Sequence, residues 1–286
     1  MSKIGDRKDG KLIRDLDSMH IIVPLLYPNR CDNEAFISEI IDLTKLEEYL
    51  NKKNSLDVDY KYNMFQVIVT AMLKTVTLRP KMNRFIANKS MYQRNELTAS
   101  FVVKKEFSDN GGEALAKITG EPEDNIDTIH NKIKKIVLSS RSDKKDGSSE
   151  SMDLFSSLPR FITRLAVGFI CILDKHGKVP KSLISSDPYY CSIVLTNLGS
   201  IKLHSGYHHL TNWGTNSVFC AIGEKKKRPF YNDDGSSLMK DSIDIGLTID
   251  ERLADGYYYS KTVRLMKKLI ENPELLELPL CEEIDY

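Results

Sequence analysis

The stretch IDIGLTIDERLADGYYYSKTVRLMKKLIENPELL, residues 243–276, decides how the rest of the chain is read. Its first residues alternate: Ile243, Ile245, Leu247 and Ile249 share one face of an extended strand, because successive side chains of a strand point to opposite sides. The alternation stops at Asp250-Glu251-Arg252-Leu253-Ala254-Asp255-Gly256. An amphipathic helix is predicted over 257–271, ending before Pro273, which cannot continue the hydrogen-bond ladder. Asp255 ahead of that helix is a good N-cap for free backbone N–H groups. Gly256 is read as relief for close backbone packing where strand becomes helix.

Working back, NSVFCAI (216–222) and YYCSIVLT (189–196) read as strands, and Asn232-Asp233-Asp234-Gly235 as the turn of a hairpin. ELTASFVVKKE lies in a β-rich meander over 84–119, with a turn at Asp109-Asn110-Gly111-Gly112. Helices are predicted at 61–78, from the spacing of Met64, Val67, Ile68, Ala71, Met72 and Val76, and again where Ile126, Ile129, Ile133, Ile136 and Val137 recur. AFISEIIDL (35–43) alternates as a strand, and Thr44 caps a helix through about Asn51. The Ser-, Lys- and Asp-rich stretch 139–153 reads as a mobile loop. Phe161–Leu173, FITRLAVGFICIL, is the longest apolar run; it is broken by Arg164 and shorter than the roughly 20 residues a spanning helix needs. It is read as a buried helix, with a surface for lipid, acyl chain or membrane interface as the alternative.

Composition narrows the function classes. Lys plus Arg number 41 against 40 acids in 286 residues, so no global field favours nucleic acid or an anionic membrane. The five cysteines form no C-x-x-C pair, so neither zinc nor a redox site is expected, and no metal. The N-terminus is charged and lacks the apolar core of a signal peptide, which gives an expectation of a cytoplasmic protein.

The 243–276 stretch resembles the C-terminal end of dihydrolipoyl acyltransferases, where a strand runs into D-H-R-x-x-D-G and then a helix ending N-P-E-L-L. VLTNLGS (194–200) is similar to that family's T-I-[ST]-N-L-G strand end, carrying Thr196 and Asn197, and Thr196 stands 55 residues before Glu251. TVTLRPKMNRFI, with Pro80 and Asn83, and EIIDLTKLEEYL resemble earlier parts of the same catalytic core. The likeness covers about residues 20–278. It implies an α/β (α+β) chloramphenicol acetyltransferase-like two-layer sandwich: a mixed, mainly antiparallel sheet covered by helices. The expected layout is an N-terminal extension (1–19), one acyltransferase-like domain (20–280) and a short tail (281–286). No lipoyl domain is expected ahead of residue 20, and the region 139–188 is longer and more apolar than the family's single helix there.

The resemblance also implies a chemistry. The family moves acyl groups between coenzyme A and an acceptor thiol, hydroxyl or amine, in homotrimers with the site between subunits. A histidine of H-x-x-x-D-G serves as general base and a Ser or Thr of the neighbouring subunit donates to the oxyanion. Thr196 matches the donor, whereas Glu251 stands in the histidine's place. A glutamate's reference pKa is about two units below histidine's, so deprotonating a thiol is about 3 kcal/mol further uphill. The competing expectation is a non-catalytic trimeric relative that binds an acyl thioester, a hydrophobic ligand or a protein. Asp255 is expected to hold the turn by pairing with a basic side chain, with Arg30 as candidate partner. His208 and His209, in LHSGYHHLTNWG, are candidates to supply the missing imidazole, against the plainer reading of packed, hydrogen-bonded residues. Within the run Lys225–Arg228, Lys226 and Arg228 are candidate anchors for coenzyme A phosphates, against a charged strand edge that discourages aggregation.

Overall fold

A computed structural model describes residues 3–56, 58–104, 113–140, 157–185 and 187–286. In chain order the elements are β1 (Gly10–Leu12), α1 (Ser18–Leu26), β2 (Glu34–Asp42), α2 (Thr44–Asn54), α3 (Met64–Leu78), β3 (Arg84–Ala87), β4 (Ser90–Arg94), β5 (Leu97–Lys104), β6 (Glu113–Gly120), α4 (Ile126–Ser140), α5 (Arg160–Lys175), α6 (Lys181–Ile184), β7 (Ile193–Asn197), β8 (Val218–Ile222), β9 (Lys226–Tyr231), β10 (Ser237–Asp250) and α7 (Gly256–Glu271). The main sheet has the order β2-β10-β8-β7-β5-β6, with β9 against the first half of β10; β1-β4-β3 form a separate small sheet. β5, β7 and β8 run parallel and the other pairs antiparallel.

Alternation builds the core. Ile243, Ile245, Leu247 and Ile249 of β10 join Val218, Cys220 and Ile222 of β8 and Ile193 and Leu195 of β7 in one buried cluster. Val67, Ile68, Ala71 and Met72 of α3, Ile129 and Ile133 of α4, and Val263, Met266 and Ile270 of α7 close the same cluster from the helix layer. The two-layer sandwich and mixed, mainly antiparallel sheet expected from the sequence are both present. α3 starts at a capping box in which Asn63 and Gln66 satisfy each other's backbone N–H groups. A lysine hides in its buried stripe: Lys74 Nζ donates to the carbonyl oxygens of Pro279 (2.7 Å) and Leu275 (3.2 Å), tying the C-terminal turn to the core.

Four expectations change. The run 161–173 is helical but not buried: Phe161, Leu165, Phe169 and Ile172 of α5 all face solvent, and only Asp174 of the helix is buried. The strands at 189–196 and 216–222 start later, at Ile193 and Val218: Tyr189 to Ser192 bend, and the N–H groups of Thr215 and Asn216 donate to Tyr189 O (2.9 and 2.8 Å). Thr44 is the first residue of α2 rather than its cap; its N–H and hydroxyl both donate to Asp42 (2.9 and 2.6 Å). Residues 1–19 are not a separate extension among the described residues: β1 pairs with β4, and Arg7 is buried against the Phe85 and Tyr92 rings. The turn at 109–112 and most of the loop at 139–153 lie outside the described residues, and α4 runs on to Ser140.

Candidate active site

β10 ends in a carboxylate that organises everything after it. Asp250 is fully buried and grips Arg252, two residues on, through Nε (2.7 Å) and Nη2 (2.6 Å). This two-point grip turns the chain into a short 3-10 turn, Glu251–Leu253. Arg30 approaches the same carboxylate, with Nε 3.8 Å from Oδ2. Its other nitrogens donate to the carbonyls of Thr211 (2.6 Å), Ile86 (3.1 Å) and Gly214 (3.2 Å). Burial pulls the Arg30 pKa down and the Asp250 charge pulls it back up. Tyr259 of α7 completes the clamp, donating to Asp250 O (2.8 Å) and accepting from Ala254 N (3.2 Å).

The clamp leaves Glu251 facing out. Its N–H donates to Asn33 O (2.9 Å) and its side chain is exposed. Two cavities adjoin it. One, of about 520 Å³, lies between β2 and α7, walled by Ile37, Tyr259, Val263 and Arg264; the other, of about 510 Å³, is walled by Met19, His20, Val23 and Tyr27 around α1.

The expected pairing of Asp255 with Arg30 is not present. Asp255 is exposed and accepts from Tyr258 N (2.8 Å) as the N-cap of α7, a bond that holds its carboxyl below the usual carboxylate range. Arg30 takes Asp250 instead. Gly256 has open space where a Cβ would sit, so it relieves no close approach, contrary to the sequence reading.

Thr196 and Asn197 lie at the other end of the sheet. Thr196, next to last in β7, lies level with Ala221 of β8, which faces Gly246 of β10. Because β10 runs against β8, Glu251 stands five residues beyond that level and two strands across, about 20 Å away at ordinary strand spacings. Both Thr196 and Asn197 are half-buried, and the Asn197 side chain accepts from Ser200 N (3.3 Å), bending the chain into the Leu198–Ile201 turn.

The histidine segment bridges the two ends by lying across the sheet face opposite the helices. A Cβ at Gly246 of β10 would fall on the carbonyl oxygen of Gly206, and one at Gly223 would fall 2.5 Å from Ser205 N, so the loop rests backbone on backbone. His208 stacks on Phe219 (centroids 4.2 Å apart) and meets His209 O through Nδ1 (2.9 Å). His209 Nδ1 lies 3.4 Å from Glu34, whose carboxylate also accepts from Leu210 N. Neither histidine lines a cavity at Glu251. Trp213 donates to Asp187 (2.6 Å). Of the basic run, Arg228 is forked onto Asp244 and Lys226 pairs with Glu224 (2.9 Å), so the expected phosphate anchors already hold carboxylates.

Residues 181–278, about a third of the chain, match the family model of the 2-oxoacid dehydrogenases acyltransferase (catalytic domain). The solved structures agree over nearly the full length. A probable dihydrolipoamide acetyltransferase from Listeria monocytogenes superposes with a TM-score of 0.59 at 16% identity, covering 94% of this chain and 96% of that one. The cubic core of a pyruvate dehydrogenase multienzyme complex gives 0.61 at 11%, covering 94% and 95%. The chain shares the fold of these acyltransferase structures. A chloramphenicol acetyltransferase shares it, with a TM-score of 0.56 at 13% identity and coverage of 93% and 99%. No curated protein matches the sequence.

Several residues that shape this acyltransferase fold's turn were not singled out from the sequence. Asp250 and Arg252 form a D-x-R clamp whose signal was present in the spacing, whereas Tyr259, Asn33 and Glu34 act through contacts that no local pattern announces. Among the described residues no group of three or more His, Cys, Asp or Glu side chains is set to hold a metal.

Proposed function

We propose that the chain is an acyltransferase that moves an acyl group from coenzyme A to a thiol, hydroxyl or amine, at a site completed by a second copy in a homotrimer. The observation that carries this reading is that the one stretch matching the acyltransferase model contains both Thr196 and Glu251, accessible at opposite rims of one sheet. A single copy cannot bring groups about 20 Å apart onto one carbonyl, whereas Thr196 of one copy set against Glu251 of the next can.

In that arrangement Glu251 accepts the proton of the acceptor as its heteroatom attacks the thioester carbonyl. The Thr196 hydroxyl donates to the oxygen as it becomes an oxyanion. Collapse of the tetrahedral intermediate breaks the carbon–sulfur bond, and the departing thiolate takes the proton back from Glu251. The cavities flanking Glu251, with apolar walls from Ala35, Ile37 and Val263, suit an acyl or pantetheine chain.

The test is thiol release from acetyl-coenzyme A with an acceptor present. Thr196→Ala and Glu251→Gln are each expected to lower turnover about tenfold or more. Unchanged turnover in both variants removes these roles. The carboxylate in the motif's histidine position favours a second reading, a binder without turnover. Under it the native chain releases no thiol while Glu251→His gains release.

A further inference from the structure

Among the described residues nothing covers the apolar side of α5. On a wheel of 100° per residue, Phe161, Ile162, Leu165, Phe169 and Ile172 gather in one arc, and Arg160, Arg164 and Lys175 gather on its edge. The arc is bare: Phe161 is 68% exposed, Leu165 71%, Phe169 61% and Ile172 55%. With Ile162, 39% exposed, this amounts to about 590 Å² at about 200 Å² per large side chain, at the top of the range for the largest patch usual on a monomer. Gly168, in mid-helix, would meet nothing within 4 Å if it carried a Cβ, so no packing among the described residues requires it.

The charge around the arc is one-sided. Between 160 and 181 stand five basic residues, Arg160, Arg164, Lys175, Lys178 and Lys181, and a single acid, Asp174, in a chain whose overall balance is +1. Asp174 is turned inward, accepting from Tyr190 Oη (2.5 Å) and Gly214 N (3.3 Å), so it does not offset the basic edge. α1 adds a second bare apolar surface, with Met19, Ile21, Ile22, Leu25 and Leu26 exposed. The residues that follow α1, Pro28 and Asn29, and the last two of α5, Asp174 and Lys175, border one cavity, so the two helices approach each other at their C-terminal ends.

We propose that α5, with α1 beside it, seats this protein on the surface of an anionic lipid bilayer, the apolar arc in the acyl-chain boundary and the arginines and lysines at the headgroups. An apolar arc with aromatic residues and a basic edge is the pattern of a helix that lies in the interface plane. Among the described residues no helix is long and apolar enough to cross a membrane. A second copy is a poorer occupant, because both ends of α5 are basic and a pair of these helices opposes like charges in either direction. α1 also walls the second Glu251 cavity, which brings that cavity next to the lipid. The inference does not rest on acyl transfer.

The test is co-sedimentation of the full chain with vesicles of phosphatidylcholine, alone or with added phosphatidylglycerol, at low and high salt, beside sedimentation velocity without lipid. The native chain is expected to bind the anionic vesicles about tenfold or more tightly than the neutral ones, and to loosen with salt. Leu165→Glu with Phe169→Glu removes binding to both; Arg160→Gln with Arg164→Gln removes only the anionic preference and carries the test if the first pair misfolds. A native chain left in the supernatant with both vesicles, or glutamate variants that bind as well as native, overturns the proposal. So does a glutamate pair that lowers the assembly mass while lipid binding stays as it was, since the arc then joins copies.

Discussion

Asp250→Ala is expected to destabilise the fold by about 3–5 kcal/mol, because it leaves two guanidinium groups buried without their carboxylate. The Arg252 guanidinium loses both of its bonds to Asp250 and Arg30 loses its nearest counter-charge. Neither can turn to water: both residues are only 4% exposed. Urea unfolding should show a lower midpoint with an unchanged slope, as for a loss of stability without a change in the surface exposed on unfolding. Asp250→Asn, which keeps an acceptor but not the charge, should fall between. A loss for Asp250→Ala within about 0.5 kcal/mol, the range of ordinary surface changes, would show that the clamp does not hold the turn.

Gly246→Ala carries the second large effect. The added methyl falls on the Gly206 carbonyl, a backbone atom that cannot swing aside, so either β10 bends or the histidine segment lifts. Overpacking of this kind costs about 1–3 kcal/mol. The chain's single tryptophan, Trp213, lies in the lifted segment and is tethered to Asp187, so its emission reports the displacement directly. A red shift with reduced stability is expected. Gly206→Ala is the paired control, since its methyl would point into open space, and it should leave both readouts near native. Equal behaviour of the two variants would mean that the loop does not rest on β10 as described.

The fold was legible in the sequence because its decisive strand alternates cleanly. Ile243, Ile245, Leu247 and Ile249 face a helix layer on one side only, and one-sided burial writes a period of two into the residues. The helix 61–78 was equally plain for the same reason at a period of 3.6. What misled was α5: an apolar run in a chain of balanced charge reads as core, and periodicity reports that one side avoids water without saying what meets it. The candidate site was legible only in part. The motif located Glu251 and Thr196, but partner choice in a buried ion pair depends on three-dimensional proximity, so Arg30 was matched to Asp255 rather than Asp250. Likewise a basic run looks like an anion cradle until carboxylates distant in sequence, Asp244 for Arg228, are found already beside it.

The placing of the Thr196 hydroxyl and the Glu251 carboxylate at opposite ends of one sheet has a geometric corollary. A joint that unites the two from different copies is either two-fold, so that both pairs form across it at once, or head-to-tail, and head-to-tail joints either bend round into a closed ring or run on as an open string. In a ring the number of joints equals the number of copies. In a string it is one fewer, and each terminus strands an unmatched half, a lone hydroxyl at one tip and a lone carboxylate at the other.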